Sequence, residues 1–107
     1  MKLVTAIVNG KDANIVCESL TVNGFFFTRI ATSGGFLKAK NITLMICTED
    51  KSVNSVLEII RENCSQRKET VSVIGNMSTS VPTTFNTEVV VGGATVFITD
   101  VVHFEKV

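Results

Sequence analysis

Two helical stretches, each flanked by short runs rich in β-branched residues, constrain this chain more than any other feature. The second helix is the clearer. Val53, Val56, Leu57, Ile60 and Cys64 recur at i, i+3, i+4, i+7 and i+11, the spacing of one face of an α-helix. Thr48, Glu49 and Asp50 stand just before it, where capping oxygens and negative charge suit the unpaired N–H groups of a helix start. The first helix is predicted over residues 13–22, with Asp12 as N-cap and Ala13, Val16 and Leu20 on one face. Asn23-Gly24 should end it, because glycine takes the left-handed cap conformation without a Cβ clash.

Residues 3–8 are apolar on both faces, which predicts a central strand broken by Asn9-Gly10. Residues 25–32, 41–47, 70–74, 88–91 and 94–99 read as further strands. The order is β-α-β, β-α-β and an extra strand segment. That is an α+β chain of the ferredoxin-like split β-α-β kind: a four-stranded antiparallel sheet with two helices on one face. At 107 residues it is expected to be a single domain, 1–107. Residues 75–86 are polar, carry the lone Pro82, and are predicted to form a long loop.

Composition bounds the function classes. Hydrophobic residues make up 45% and mean hydropathy is +0.36, more apolar material than a monomer this small can bury, so a subunit interface is expected. Formal net charge is zero, which argues against binding a nucleic-acid backbone. No apolar run reaches the ~20 residues of a membrane span, and Met1-Lys2 leads straight into a strand, so a cytoplasmic location without a signal peptide is expected. Cys17, Cys47 and Cys64 are odd in number, widely spaced and set in apolar runs, which predicts buried free thiols. His103 is the sole histidine, and structural or surface placement is its expected role. No Gly-x-Ser-x-Gly, Cys-x-x-Cys, phosphate loop or dinucleotide fingerprint occurs, so neither catalysis nor a metal or cofactor is expected.

Two stretches remain. In Ser33-Gly34-Gly35-Phe36-Leu37 the glycines let a backbone approach a ligand, Phe36 offers a stacking face, and Lys38 and Lys40 follow; a plain turn with solvated lysines is the alternative. In Phe25-Phe26-Phe27, strand alternation sends Phe26 to the face opposite its neighbours, an interface or pocket wall if theirs is the core. Gly92-Gly93 reads as a bulge bending the last strand.

Residues 31–37 (ATSGGFL), Asn41 and residues 91–97 (VGGATVF) together resemble the PII-like cyclic-di-AMP receptor family of bacteria over nearly the whole length. The resemblance implies a homotrimer whose subunits pack their sheets inward. It implies pockets between neighbouring subunits that bind cyclic di-AMP without chemistry, and two loops, here residues 34–40 and 75–86, that pass the signal to a downstream protein. The matching ligand-binding positions are Thr28, Gly35, Phe36, Leu37, Asn41 and Phe97. The chain departs from the family's binders at Gly24 (asparagine there), Phe26 (arginine), Lys40 and Cys47 (both glycine) and Lys106 (glutamine). Losing an arginine partner to phosphate costs about 1.5–3 kcal/mol. Lys40 or Lys106 could restore the charge, without the bidentate fork. Three readings follow: a cyclic-di-AMP sensor, a binder of another adenine nucleotide, or a protein-interaction module.

Overall fold

A computed structural model describes residues 1–33, 40–65, 67–74 and 84–107. Its elements are β1 (Lys2–Asn9), α1 (Gly10–Val22), β2 (Phe27–Ser33), β3 (Lys40–Thr48), a 3₁₀ turn (Asp50–Ser52), α2 (Val53–Asn63), β4 (Arg67–Ile74), β5 (Thr84–Val91) and β6 (Ala94–Asp100). The main sheet has the order β2-β3-β1-β6 with every neighbour antiparallel. This is the expected ferredoxin-like arrangement, with β1 in the middle.

Alternation along the central strands builds the core. Val4, Ala6 and Val8 of β1 and Leu44 and Ile46 of β3 turn to one face and are fully buried there. Ala13, Val16 and Leu20 of α1 and Val56, Ile59 and Ile60 of α2 close over them. Ile59 joins the buried set and Leu57 is only half-buried, because α2 packs against α1 as well as over the sheet. Gly24 ends α1 as expected, at φ +80, with the Phe25 N–H donating to the Leu20 carbonyl.

Several expectations are corrected. Helix α1 starts at Gly10, and its cap is Asn9, whose side chain accepts from the Lys11 N–H at 2.8 Å. Asp12 lies inside the first turn, buried, with its carboxylate turned to Arg67. No side-chain hydrogen bond caps α2; Glu49 pairs with Lys51 and Asp50 with the terminal ammonium of Met1. Strand β2 begins at Phe27, two residues late, since the turn through Gly24 delays pairing until Phe27 meets Ile46. Only Cys64 is fully buried; Cys17 and Cys47 are half-buried, and all three are free thiols.

The main correction concerns the strand after α2. It does not enter the main sheet. Strands β4 and β5 pair with each other as a separate two-stranded sheet, from Arg67↔Val91 to Ile74↔Thr84, and β6 takes the edge beside β1. Residues 84–86, expected in the long loop, are therefore strand; residues 75–83 lie outside the described part. The hairpin makes the molecule long, 62 × 25 × 19 Å, with a radius of gyration of 18.0 Å. A compact chain of this size would have about 13 Å. Among the described residues no helix is long and apolar enough to cross a membrane, and no metal-ligand cluster occurs.

Candidate ligand-binding site

The sheet face opposite the helices carries the site. Period-two alternation places Ile7 of β1, Thr28 and Ile30 of β2, Thr43, Met45 and Cys47 of β3 and Phe97 of β6 on it. No helix covers this face among the described residues, and Ile30, Met45 and Phe97 are exposed.

At one end of the face is a cleft of about 600 Å³, lined by Met1, Phe26, Phe27, Thr28, Met45, Cys47, Phe104, Glu105 and Lys106. It brings together Phe26, Thr28, Cys47 and Lys106, four of the residues singled out from sequence. Local structure explains why. Phe25 and Phe27 pack against the core, so the side chain between them must leave it, and Phe26 is 88% exposed. The next pair down the β2–β3 ladder sets Thr28 across from Met45. The chain beyond β6 carries Phe104 and Lys106 to the same place. Gly24 lines an adjoining cleft of about 420 Å³ that shares Phe26 and Cys47. Charge in the main cleft is sparse and of both signs, Lys106 against Glu105, and apart from Thr28 the rest of the wall is aromatic or sulfur-bearing. Met45 was detectable from Cys47 by period two; Phe104 gave no signal, because it follows the last strand without regular structure.

At the other end Asn41 lines a cleft of about 370 Å³ with Ile7, Val8, Asn9, Gly92, Gly93, Ala94 and Thr95. Gly92 and Gly93 have φ of +82 and +79, so this is a tight turn between the two sheets rather than a bulge within one strand. Asn9, the cap of α1, places the helix start and its partial positive charge beside this cleft.

The two ends do not meet within the chain. Asn41 and Cys47 are six positions apart on β3, roughly 20 Å at about 3.3 Å per residue. Phe97 sits between them on β6, opposite Thr5 and 54% exposed. Lys40 is exposed at the first position of β3. Gly35, Phe36, Leu37 and Lys38 lie outside the described residues. His103 is exposed, 3.6 Å from Glu105. On the helix side, a hollow of about 500 Å³ between α2 and β6 is lined by Leu57, Arg61, Cys64 and Val96 among others and contains none of the expected site residues.

Comparison with known proteins bears on this arrangement. A family model described as cyclic-di-AMP receptor matches residues 1–107. Among solved structures, the chain is similar to one described as the crystal structure of a functionally unknown protein from Pediococcus pentosaceus ATCC 25745. The two share 39% sequence identity with a TM-score of 0.77, over 99% of this chain and 96% of that one.

Proposed function

The chain belongs to the cyclic-di-AMP receptor family, and from that premise we propose that it is a non-catalytic signalling protein that works as a homotrimer and takes cyclic di-AMP at clefts between subunits. One observation carries this reading: Phe26, Thr28, Cys47 and Lys106 line a cleft at one end of a sheet face and Asn41 lines another at the opposite end, roughly 20 Å away, with Phe97 between them. That is longer than a cyclic dinucleotide, so each subunit offers two half-sites. The Phe26–Thr28–Lys106 end of one subunit completes the Asn41–Gly93 end of its neighbour. Packing three open faces together also buries Ile30, Met45 and Phe97, which a monomer leaves in water.

The Phe26 end favours a second reading. An aromatic side chain stands where the family's binders place a phosphate-pairing arginine, and Cys47 adds bulk where they have glycine. Such a half-site stacks well on a base and pairs poorly with phosphate. It suits an adenine nucleotide that carries less charge at this position.

Calorimetry of the purified protein against cyclic di-AMP, cyclic di-GMP, ATP and AMP separates the readings. The first expects saturable heat with cyclic di-AMP at one site per subunit, with the nucleotide recovered intact. Heat with AMP or ATP alone selects the second. Silence across the panel leaves a protein-interaction module.

A further inference from the structure

We infer that Asp12 is a positioning residue: it clamps the Gly92-Gly93 turn, which walls the Asn41 half-site, to the base of the β4–β5 hairpin, so that a ligand seated against the turn is felt in the hairpin. The coupling to ligand rests on the proposed reading of that half-site; the clamp does not.

Asp12 is 5% exposed, in the first turn of α1. A carboxylate in that position is costly unless a cation meets it. Arg67 does so with both terminal nitrogens, Nη2 to Oδ1 at 2.9 Å and Nη1 to Oδ2 at 3.4 Å, across 55 residues of sequence. The same Nη1 also donates to the Ser65 carbonyl at 3.3 Å. Arg67 is the first residue of β4, so this fork ties the start of the hairpin to α1.

Gly92 closes the joint from above. A Cβ built there would stand 2.6 Å from the Ser65 carbonyl oxygen, 2.7 Å from Arg67 Nη1 and 3.3 Å from Asp12 Oδ2. The turn backbone therefore rests directly on the ion pair, with no space for even a methyl group between them. Arg67 and Val91 are partners in the ladder, and Gly92 follows Val91, so both strands of the hairpin leave the main body at this one point. Among the described residues the hairpin shares no ladder with the main sheet. Moving the guanidinium moves the turn, and pressing on the turn moves the guanidinium.

Hydrogen exchange of the full-length protein tests the clamp, in wild type, Asp12→Asn and Arg67→Lys, with and without saturating cyclic di-AMP. The first substitution keeps the shape of the side chain and removes its charge; the second keeps the charge and removes the fork. In both variants the amides of residues 67–74, 84–91 and 92–93 are expected to exchange faster together, by about tenfold, while those of β1 and β3 hold their wild-type rates. In wild type the nucleotide slows the turn and the hairpin together. In the variants it still slows the turn but no longer slows the hairpin, a change that a purely structural role would not produce. Hairpin rates unchanged in both folded variants would overturn the inference. So would turn and hairpin responding separately, or both variants unfolding throughout. If wild type binds no cyclic di-AMP, the functional reading fails, and the unliganded rates still decide the clamp.

Discussion

Phe26 owes its exposure to its neighbours: Phe25 and Phe27 take the core side, and alternation does the rest. Replacing Phe26 with Arg puts a forked cation into a cleft whose basic side chain, among the described residues, is Lys106. We expect cyclic-di-AMP affinity to rise by roughly ten- to a hundredfold on titration. Cys47→Gly should add to the gain. Because both side chains line the same cleft, the double variant should depart from additivity. Wild type binding as tightly as the double variant would show that Lys40 or Lys106 already meets the phosphate. Cys64 is the opposite kind of thiol. Burial first, and the Asp12 carboxylate second, push it up to about 11 from an ordinary 9.0, against the opposing pull of Arg67. Between those values the unfolded chain has lost the proton and the folded chain keeps it. Stability must therefore fall as pH rises from about 9 to 11, and be indifferent to this group below that window. Denaturant titrations at about pH 8 and about pH 10.5 should show the fall in wild type and a smaller one in Cys64→Ala. At about pH 8, an alkylating agent should label Cys47 and spare Cys64 until the protein unfolds. At this scale the sequence was informative where a side chain's direction follows from its immediate neighbours, as with Phe26. It was silent for Phe104, whose place depends on how an irregular chain end returns to the sheet.

Strand β1 and helix α2 announce themselves in sequence because their side chains repeat with the period of the element and face one continuous core. Ile60→Ala removes a side chain that is 2% exposed, from the middle of that core. It should cost about 2–5 kcal/mol in denaturant unfolding, whereas Glu58→Ala, on the outer face, should cost under about 0.5. The partner of β4 was not legible in the same way. A run of β-branched residues says that a strand forms, and leaves open which ladder it joins. In the fold β4 starts at Arg67, anchored on Asp12, and pairs only with β5. A carboxylate near a helix start reads locally as a cap, and its partner lies far along the chain. The Gly92 turn is sensitive to a small change. Gly92→Ala meets both a φ of +82 and a backbone oxygen at 2.6 Å. It should destabilise the protein by at least about 1–2 kcal/mol, measured as a lowered denaturant midpoint.

The molecule as a whole has one face sealed by helices and one that leaves Ile30, Met45 and Phe97 in water. Light scattering at micromolar concentration should give about three times the 11.6 kDa chain mass. Asp replacing Ile30 should push that value toward a monomer, since a buried unpaired charge opposes packing of the open faces. A clean wild-type monomer would remove the basis for a shared site. The seating of both helices on one face of an antiparallel sheet follows from patterns inside the chain, so sequence reached it; that β6 rather than β4 takes the edge beside β1 does not. The open face has no such pattern to complete, because no helix of the described chain packs on it and Ile30, Met45 and Phe97 stay exposed. The hairpin gives the molecule a lever. Each of its strands has eight residues, an arm of about 26 Å at about 3.3 Å per residue, pivoted where Gly92 rests on the Asp12–Arg67 pair. A swing of about 10° at the pivot carries the far end through about 4.5 Å, close to the spacing between adjacent strands in a sheet. A shift too small to disturb the core would thus move the outer end of the arm by one full strand width.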